Sequence, residues 1–383
     1  MSNQDTQVRD AADDVDIREF AERVEYGQPA RHNVEGWIVA AVALAWSLFQ
    51  LWFSSPVPYF LNVGIFNDSE ARLIHLAFAL LLAFAIAPAG RRASVRAPLY
   101  DWAIGSAAVA ACLYGLVFYD ELAARAGQPI LVDLLVAGLG IILVLEAARR
   151  TMGPFLVAVA IVFLLYSYFG RSMPEVLQHR GASVTRILEH QWLDTQGVFG
   201  VPLGASTSFV FIYVLFGNMF NKAGAGHYIM QLSLAFLGHL RGGPAKVAVV
   251  SSGLNGMISG SALANVVASG IFTIPLMKRT GISGTKAGAV ETSASINGQI
   301  MPPVMGAAAF IMVEYVGISY AEVVRHALLP AAISYISLFY IVHLEALKLG
   351  VEPARRVRLH PVKVAALRYG LGISGTLLTL SGI

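Results

Sequence analysis

The chain has 383 residues, of which 56% are hydrophobic and only 13% are charged, and its formal net charge is +3. Soluble domains carry about 25% charged residues, whereas the mean hydropathy here is +0.63. This composition excludes soluble enzymes and nucleic-acid-binding proteins, and it predicts an all-α integral membrane protein.

The first 33 residues form a polar tail that is rich in Asp and Glu and has no apolar core. We therefore expect no cleavable signal peptide, and we expect the tail to be disordered and cytoplasmic. Cys112, the single cysteine, lies inside an apolar run, where a small core residue is expected.

Eight apolar stretches are long enough to be membrane spans, and a ninth begins near Val364. Their predicted bounds are 36–53, 72–89, 100–119, 130–147, 153–170, 201–220, 287–313 and 326–343. Basic residues favour cytoplasmic loops, so the arginines at 91–96 and 149–150 are expected inside. The first four helices, within residues 34–150, then form a unit with both of its ends in the cytoplasm.

The stretch from Val247 to Met277 is apolar and is bracketed by Lys246 and Lys278. As one straight helix it would be about 46 Å long and would place the two lysines on opposite sides of the membrane. Two shorter arms that turn inside the membrane keep both lysines in the cytoplasm. The glycine and serines within residues 258–262 predict the turn of this re-entrant hairpin.

A second interruption is predicted in the span 287–313, where Asn297 and Gly298 precede the pair Pro302 and Pro303. Proline removes a hydrogen-bond donor and disrupts the preceding helical turn. We therefore expect a broken helix in which the carbonyls of residues 295–302 lack helical partners. Secondary transporters use such interrupted helices to bind sodium and anionic substrates near the middle of the membrane.

Three motifs resemble the large permease subunit of TRAP transporters, most closely the fused small-plus-large permeases of the TAXI subfamily. They are Gly242–Lys246 (GGPAK), Ile258–Ser261 (ISGS) and Gly298–Gly306 (GQIMPPVMG). The resemblance covers about residues 196–347, whereas the first four spans match the small subunit only in their number and topology.

This resemblance implies a permease in the bacterial inner membrane that imports an organic anion of the carboxylate type by an elevator mechanism. It further implies that sodium is the coupling ion, that no other cofactor is needed, and that a periplasmic binding protein delivers the anion. Residues 34–150 would be the small-subunit-like unit and residues 151–383 part of the large transport subunit.

The chain departs from the family pattern in two respects. Residues 295–297 read Ser-Ile-Asn where a run rich in Gly or Thr is expected. The large subunit has two inverted repeats, each with a hairpin, and only the first is present, so we expect the sequence to be part of a longer protein. Hairpin sites in such folds are shared between repeats.

The candidate ligands for sodium and substrate lie at the two interruptions, because hard cations prefer oxygen ligands. Each set also has a purely structural explanation, namely close packing of small residues, a proline kink, or a carboxylate that is solvated or paired with lysine. The hairpin set is Asn255, Ser259, Gly260, Ser261 and Asn265; the broken-helix set is Asn297, Gly298, Pro302 and Pro303; and Glu291 is a further candidate.

Two other functions stay open at this point: a channel or pore, which also needs re-entrant segments, and a truncated permease that does not transport. The sequence contains no catalytic triad, metal-binding spacing or phosphate loop, so no enzymatic activity is predicted. Trp192, in an amphipathic segment over residues 180–195, is expected to anchor at the membrane interface.

Overall fold

A computed structural model describes residues 34–87, 99–303 and 305–351. All the regular secondary structure in these ranges is helical. Six of the described helices are long and apolar enough to cross a membrane: 35–54, 68–86, 99–117, 131–151, 154–172 and 320–348. The protein is therefore an all-α integral membrane protein, as the composition predicts. The tail, the arginines at 91–96 and the span predicted from Val364 lie outside the described residues.

The chain divides into two compact units, with the division after Ile212. The first unit is built from nine α-helices in its described part. They are α1 (Val34–Ser54), α2 (Val57–Leu61), α3 (Asp68–Ile86), α4 (Leu99–Val117), α5 (Tyr119–Ala124), α6 (Leu131–Thr151), α7 (Pro154–Phe169), α8 (Val184–Leu188) and α9 (Val201–Ala205).

The core of the first unit lies between α3, α4 and α6. Phe84 and Ala108 are fully buried there, and Cys112 is 1% exposed, which confirms its expected place in the core. A capping box at Asn67 and Glu70 defines the start of α3, because each side chain accepts a hydrogen bond from the other residue's backbone N–H.

Trp192 belongs to this same core, and the expectation that it anchors at the membrane interface is wrong. Its side chain is 4% exposed, and it packs edge-on against Phe199 with 5.1 Å between the ring centroids. Gly140 on α6 leaves the space that the indole occupies. The amphipathic pattern failed here because it cannot tell a lipid interface from the surface of a neighbouring helix.

The second unit follows Ile212, and its described helices begin with α10 (Phe211–Lys222), which crosses the division. The predicted span 201–220 is not one straight helix, because its two parts, Val201–Ser208 and Phe211–Phe220, are bent by 41°. The remaining helices are α11 (Ala225–Leu237), α12 (Gly243–Ser259), α13 (Ala262–Lys278), α14 (Gly284–Gly298), α15 (Ala307–Val316) and α16 (Tyr320–Lys348).

The second unit is organised around α12, α13 and α14, which pack against one another, with α16 against α12 and α14. Small residues line these contacts: Ala245, Ala248, Ala287 and Ala294 are all fully buried. Small side chains let helices approach closely, which is how helices associate in membranes. This close packing positions the candidate site.

Candidate transport site

The hairpin predicted from the sequence is present, and its turn lies within residues 258–262 as expected. The first arm, α12, ends at Ser259, and the second arm, α13, begins at Ala262. Gly260 is in the left-handed region with φ of 63°, and Ser261 caps α13 by accepting a hydrogen bond from the Ala264 N–H at 3.3 Å.

Gly260 is required at the turn for two reasons. Residues that carry a Cβ rarely adopt its backbone conformation. In addition, a Cβ at this position would lie 2.6 Å from the carbonyl oxygen of Met305. The tip of the hairpin thus touches the segment between α14 and α15.

The broken helix is also present, since α14 ends at Gly298 and α15 begins at Ala307. Four of the carbonyls predicted to lack helical partners, those of residues 296–299, instead accept other backbone hydrogen bonds. The carbonyls of residues 296, 297 and 298 accept hydrogen bonds from the N–H groups three residues further on, and Gln299 O accepts from the Gly306 N–H at 2.7 Å. The break begins with a tight turn, in which hydrogen bonds that span three residues replace the helical bonds that span four.

Four helix ends converge where the hairpin meets this break. Gly256 and Gly298 are in backbone contact, because a Cβ on Gly298 would lie 2.6 Å from the Gly256 Cα. A Cβ on Gly306 would lie 3.2 Å from the Gly260 carbonyl oxygen. The carboxyl ends of α12 and α14 therefore meet the amino ends of α13 and α15. Carboxyl ends present partial negative charge and amino ends partial positive charge.

A fully buried polar cluster lies between about one and three helical turns from the hairpin tip. Asn265 on α13 donates from Nδ2 to Ser252 Oγ on α12 and to Ser295 Oγ on α14, both at 3.0 Å. Ser252 and Ser295 share a further hydrogen bond of 2.9 Å. The Asn265 Oδ1 atom is buried without a hydrogen-bond partner among the described residues.

Glu291 on α14 completes the cluster and is 0% exposed. Its carboxyl oxygens accept from Ser269 Oγ, from Ser295 Oγ at 3.2 Å, and from Thr273 Oγ1 at 2.6 Å. The carboxyl group is therefore neither solvated nor paired with a lysine within the part of the chain that the structure describes.

Asn255 does not join this cluster. It is half-buried and lines a cavity of about 230 Å³ together with Ser251, Ser269 and Thr273 on the hairpin arms and His227 on α11. The cavity and the buried cluster thus share two hydroxyl side chains, those of Ser269 and Thr273.

The structure brings the two predicted sets together, since Gly260 and Asn265 of the hairpin each contact the broken helix or its flanks. Ser259 and Ser261 act locally at the turn, where the Ser259 hydroxyl lies 3.4 Å from the Ser261 carbonyl oxygen. Asn297, Pro302 and Pro303 are half-buried at the break, where the Pro303 carbonyl accepts from the Tyr320 hydroxyl at 2.7 Å.

Four members of the cluster were missed by sequence reasoning: Ser252, Ser269, Thr273 and Ser295. A signal for two of them exists, because Asn265, Ser269 and Thr273 recur every four residues and so form a polar stripe on one face of an otherwise apolar helix. Glu291 and Ser295 repeat this spacing on the next helix.

Comparison with known protein families matches residues 139–378, more than half of the chain, to the family described as "Tripartite ATP-independent periplasmic transporter, DctM component". This match begins earlier in the chain than the motifs quoted above.

Individual relatives match shorter stretches. A putative TRAP transporter large permease protein of Haemophilus influenzae is 33% identical over 91 residues, which are 24% of this chain and 21% of that protein. The 2,3-diketo-L-gulonate TRAP transporter large permease protein YiaN of Escherichia coli is 30% identical over 122 residues, 29% of this chain and 28% of the relative. The C4-dicarboxylate TRAP transporter large permease protein DctM of Rhodobacter capsulatus is 29% identical over 103 residues, 27% and 22% of the two chains.

The chain spans less than a third of the length of each of these three relatives. The family match nevertheless covers the hairpin, the broken helix and the cluster between them. The chain therefore belongs to the DctM family of TRAP transporter large permease proteins.

Proposed function

We propose that this chain is part of a sodium-coupled secondary active transporter of the TAXI subfamily, with small and large permease subunits fused. It would lie in the bacterial inner membrane with its N-terminus in the cytoplasm. It would import a carboxylate-type organic anion that a periplasmic binding protein delivers. The convergence of four helix ends at Gly260 and Gly306 is the observation that carries this proposal.

The helix ends supply both kinds of charge that symport requires. The carbonyl-bearing ends of α12 and α14 suit a sodium ion, and the N–H groups at the starts of α13 and α15 suit a carboxylate. Ser259 and Ser261 add hydroxyl oxygens at the same place, which are ligands of the type that a hard cation prefers. A sodium ion bound here would neutralise part of the charge of the anion beside it.

An elevator motion is supported by the packing within the second unit. The hairpin arms and the broken helix touch backbone to backbone at Gly256 and Gly298, and the Asn265 amide ties both arms to α14. These elements would therefore move as one block rather than as separate gates. The binding protein and the anion are proposed from the family resemblance alone.

Thermal unfolding of the full chain in lipid nanodiscs tests sodium binding, with sodium chloride compared with choline chloride at equal ionic strength. A ligand at about 100 times its Kd stabilises the folded state by about 2.7 kcal/mol, so we expect sodium to raise the Tm and choline to leave it unchanged. An equal effect of the two salts would contradict sodium binding.

A pair of helix-cap variants tests where the sodium ion binds. Ser261→Ala and Ser283→Ala each remove a serine that caps a helix, α13 and α14 respectively, and each is expected to cost about 0.5–2 kcal/mol. Only Ser261→Ala should also weaken the response to sodium, because Ser283 lies at the far end of α14 from the break. If both variants respond to sodium as the unaltered chain does, the ion binds elsewhere.

A further inference from the structure

Glu291 differs from the other buried acids of the described chain because all its contacts are neutral. Its hydrogen-bond partners are the hydroxyls of Ser269, Thr273 and Ser295. Asp101 and Asp133, which are equally buried, each contact an arginine. A buried charge without a partner is costly, so such a group binds a counter-ion or becomes neutral.

The charged groups on the helices packed against α14 are engaged elsewhere or lie at helix ends. Lys246 on α12 lies over the ring of Phe339 on α16, 5.2 Å from its centroid. Lys286 on α14 pairs with Glu345 on α16, and Lys278 is the last residue of α13.

From α16, the titratable group nearest the cluster is Tyr335, which donates its hydroxyl hydrogen to the Ala294 carbonyl at 2.7 Å. From the hairpin arms, only hydroxyls reach the carboxyl group directly. No basic side chain in the described part of this unit therefore offsets a negative charge on Glu291.

The geometry of the carboxyl group favours a proton over a metal ion as its neutralising charge. Thr273 Oγ1 lies 2.6 Å from Oε2, and Ser269 Oγ and Ser295 Oγ are in hydrogen-bond contact with Oε1. These are direct oxygen-to-oxygen contacts, which leave no gap for a cation between the atoms. The Ser269 and Thr273 hydroxyls can instead donate to the Asn265 and Ser269 carbonyls, at 2.7 and 3.0 Å, and so accept a hydrogen bond from a protonated Glu291.

The cluster also has a route to water. Ser269 and Thr273 line the 230 Å³ cavity on one side and contact Glu291 on the other. Along this route, the Glu291 O–H bond would break as its proton passes to a serine or threonine oxygen. The hydroxyl's own proton would pass at the same time to a water in the cavity, leaving a carboxylate and a hydronium ion.

We propose that Glu291 is a proton-binding residue of the transport unit, protonated in this conformation and exchanging its proton with the cavity through Ser269 and Thr273. The proton would be carried in addition to the sodium ion at the hairpin tip. The transport part of this inference rests on the proposed function, whereas protonation of Glu291 does not. His227, which also lines the cavity, is the other titratable group that such an exchange would meet.

Infrared difference spectroscopy of the full chain in lipid nanodiscs tests the proposal directly. At about pH 7, where an exposed glutamate is ionised, the spectrum of the unaltered chain minus that of Glu291→Gln should contain the C=O stretch of a protonated carboxyl group. The band should shift in heavy water. Glu345→Gln is the matched control, because Glu345 is paired with Lys286 and should contribute only carboxylate bands.

Carboxylate bands for Glu291 at all values between about pH 5 and about pH 9, with or without sodium chloride, would overturn the proposal. Should Glu291→Gln fail to fold, Thr273→Val keeps the carboxyl group and is expected to shift the frequency of the same band. The sodium response in thermal unfolding is measured separately, so failure of either proposal leaves the other standing.

Discussion

The two units of this protein handle buried charge in opposite ways. In the first unit, Arg150 is 4% exposed and pairs with the fully buried Asp101 at 2.6 Å and with Glu146 at 2.7 Å. In the second unit, Glu291 is equally buried, but among the described residues its hydrogen-bond partners are all hydroxyls. The first arrangement contains both partners of an ion pair, whereas the second offers the carboxyl group no charged partner among the described residues.

Under the two proposals, this difference would distinguish a static framework from a site that changes its charge. An ion pair with both partners present resists change, because separating the partners leaves a charge without compensation. A carboxyl group held only by hydroxyls can gain or lose charge while its neighbours stay in place. The hairpin is joined to α14 by such neutral contacts and by glycine backbones, which suits an element that responds to ions.

The largest effect is expected from breaking the ion pair of the first unit. Arg150→Met leaves Asp101 buried without its cation and should lower the free energy of unfolding by about 3–5 kcal/mol. Arg149→Met is the matched control, since Arg149 contacts the same Glu146 but is 46% exposed, and it should cost about 0–1 kcal/mol. Unfolding in mixed micelles measures both, and equal losses would contradict the distinction between the two arginines.

The second-largest effect is expected from disrupting the glycine contact between the hairpin and the broken helix. Gly298→Ala places a Cβ against the Gly256 backbone and should cost about 1–3 kcal/mol, the usual penalty for overpacking. Gly288→Ala, on the same helix, meets no atom within 4 Å and should instead stabilise the protein by up to about 1 kcal/mol. Changes of the same sign in the two variants would show that the contact is not tight.

The smallest effect is expected at the hydrogen bond between Thr273 and Glu291, and its size depends on whether the carboxyl group is charged. Thr273→Val removes one donor to Glu291 and should cost about 0.5–1.5 kcal/mol if the carboxyl group is neutral, but about 1.5–3 kcal/mol if it is ionised. Thr280→Val, whose hydroxyl bonds only within its own turn to Met277 O, provides the control. A double-mutant cycle that combines Thr273→Val with Glu291→Gln measures the coupling energy between the two side chains. A coupling energy of about 1.5–3 kcal/mol would argue against a protonated Glu291.

Local chemistry was enough to predict the elements that carry the site. The turn at Gly260 and the break before Pro302 follow from backbone requirements that neighbouring residues impose on one another. The two lysines that flank the hairpin identified its arms through the asymmetry of charge across a membrane. Such features depend on a few consecutive residues, so they can be predicted from the sequence without the tertiary structure.

Contacts between residues that are far apart in the sequence could not be predicted in this way. The sequence places Asp101 and Arg150 49 positions apart, yet they form a buried ion pair at 2.6 Å. It leaves Trp192 free to face lipid, yet Gly140 makes room for it in a core. Which side chains meet depends on how helices rotate and approach, and these are set by the packing of the whole unit.

Glu291 shows the same division most clearly. The sequence by itself marked an ionisable residue in an apolar span, which is a candidate for function wherever it occurs. Only the tertiary structure decided that three hydroxyls, and no basic side chain of the described residues, contact it, because those hydroxyls come from α13 and α14 and meet only where the hairpin packs against the broken helix. The residue type follows from the sequence, but the charge that the residue can hold depends on what folding places around it.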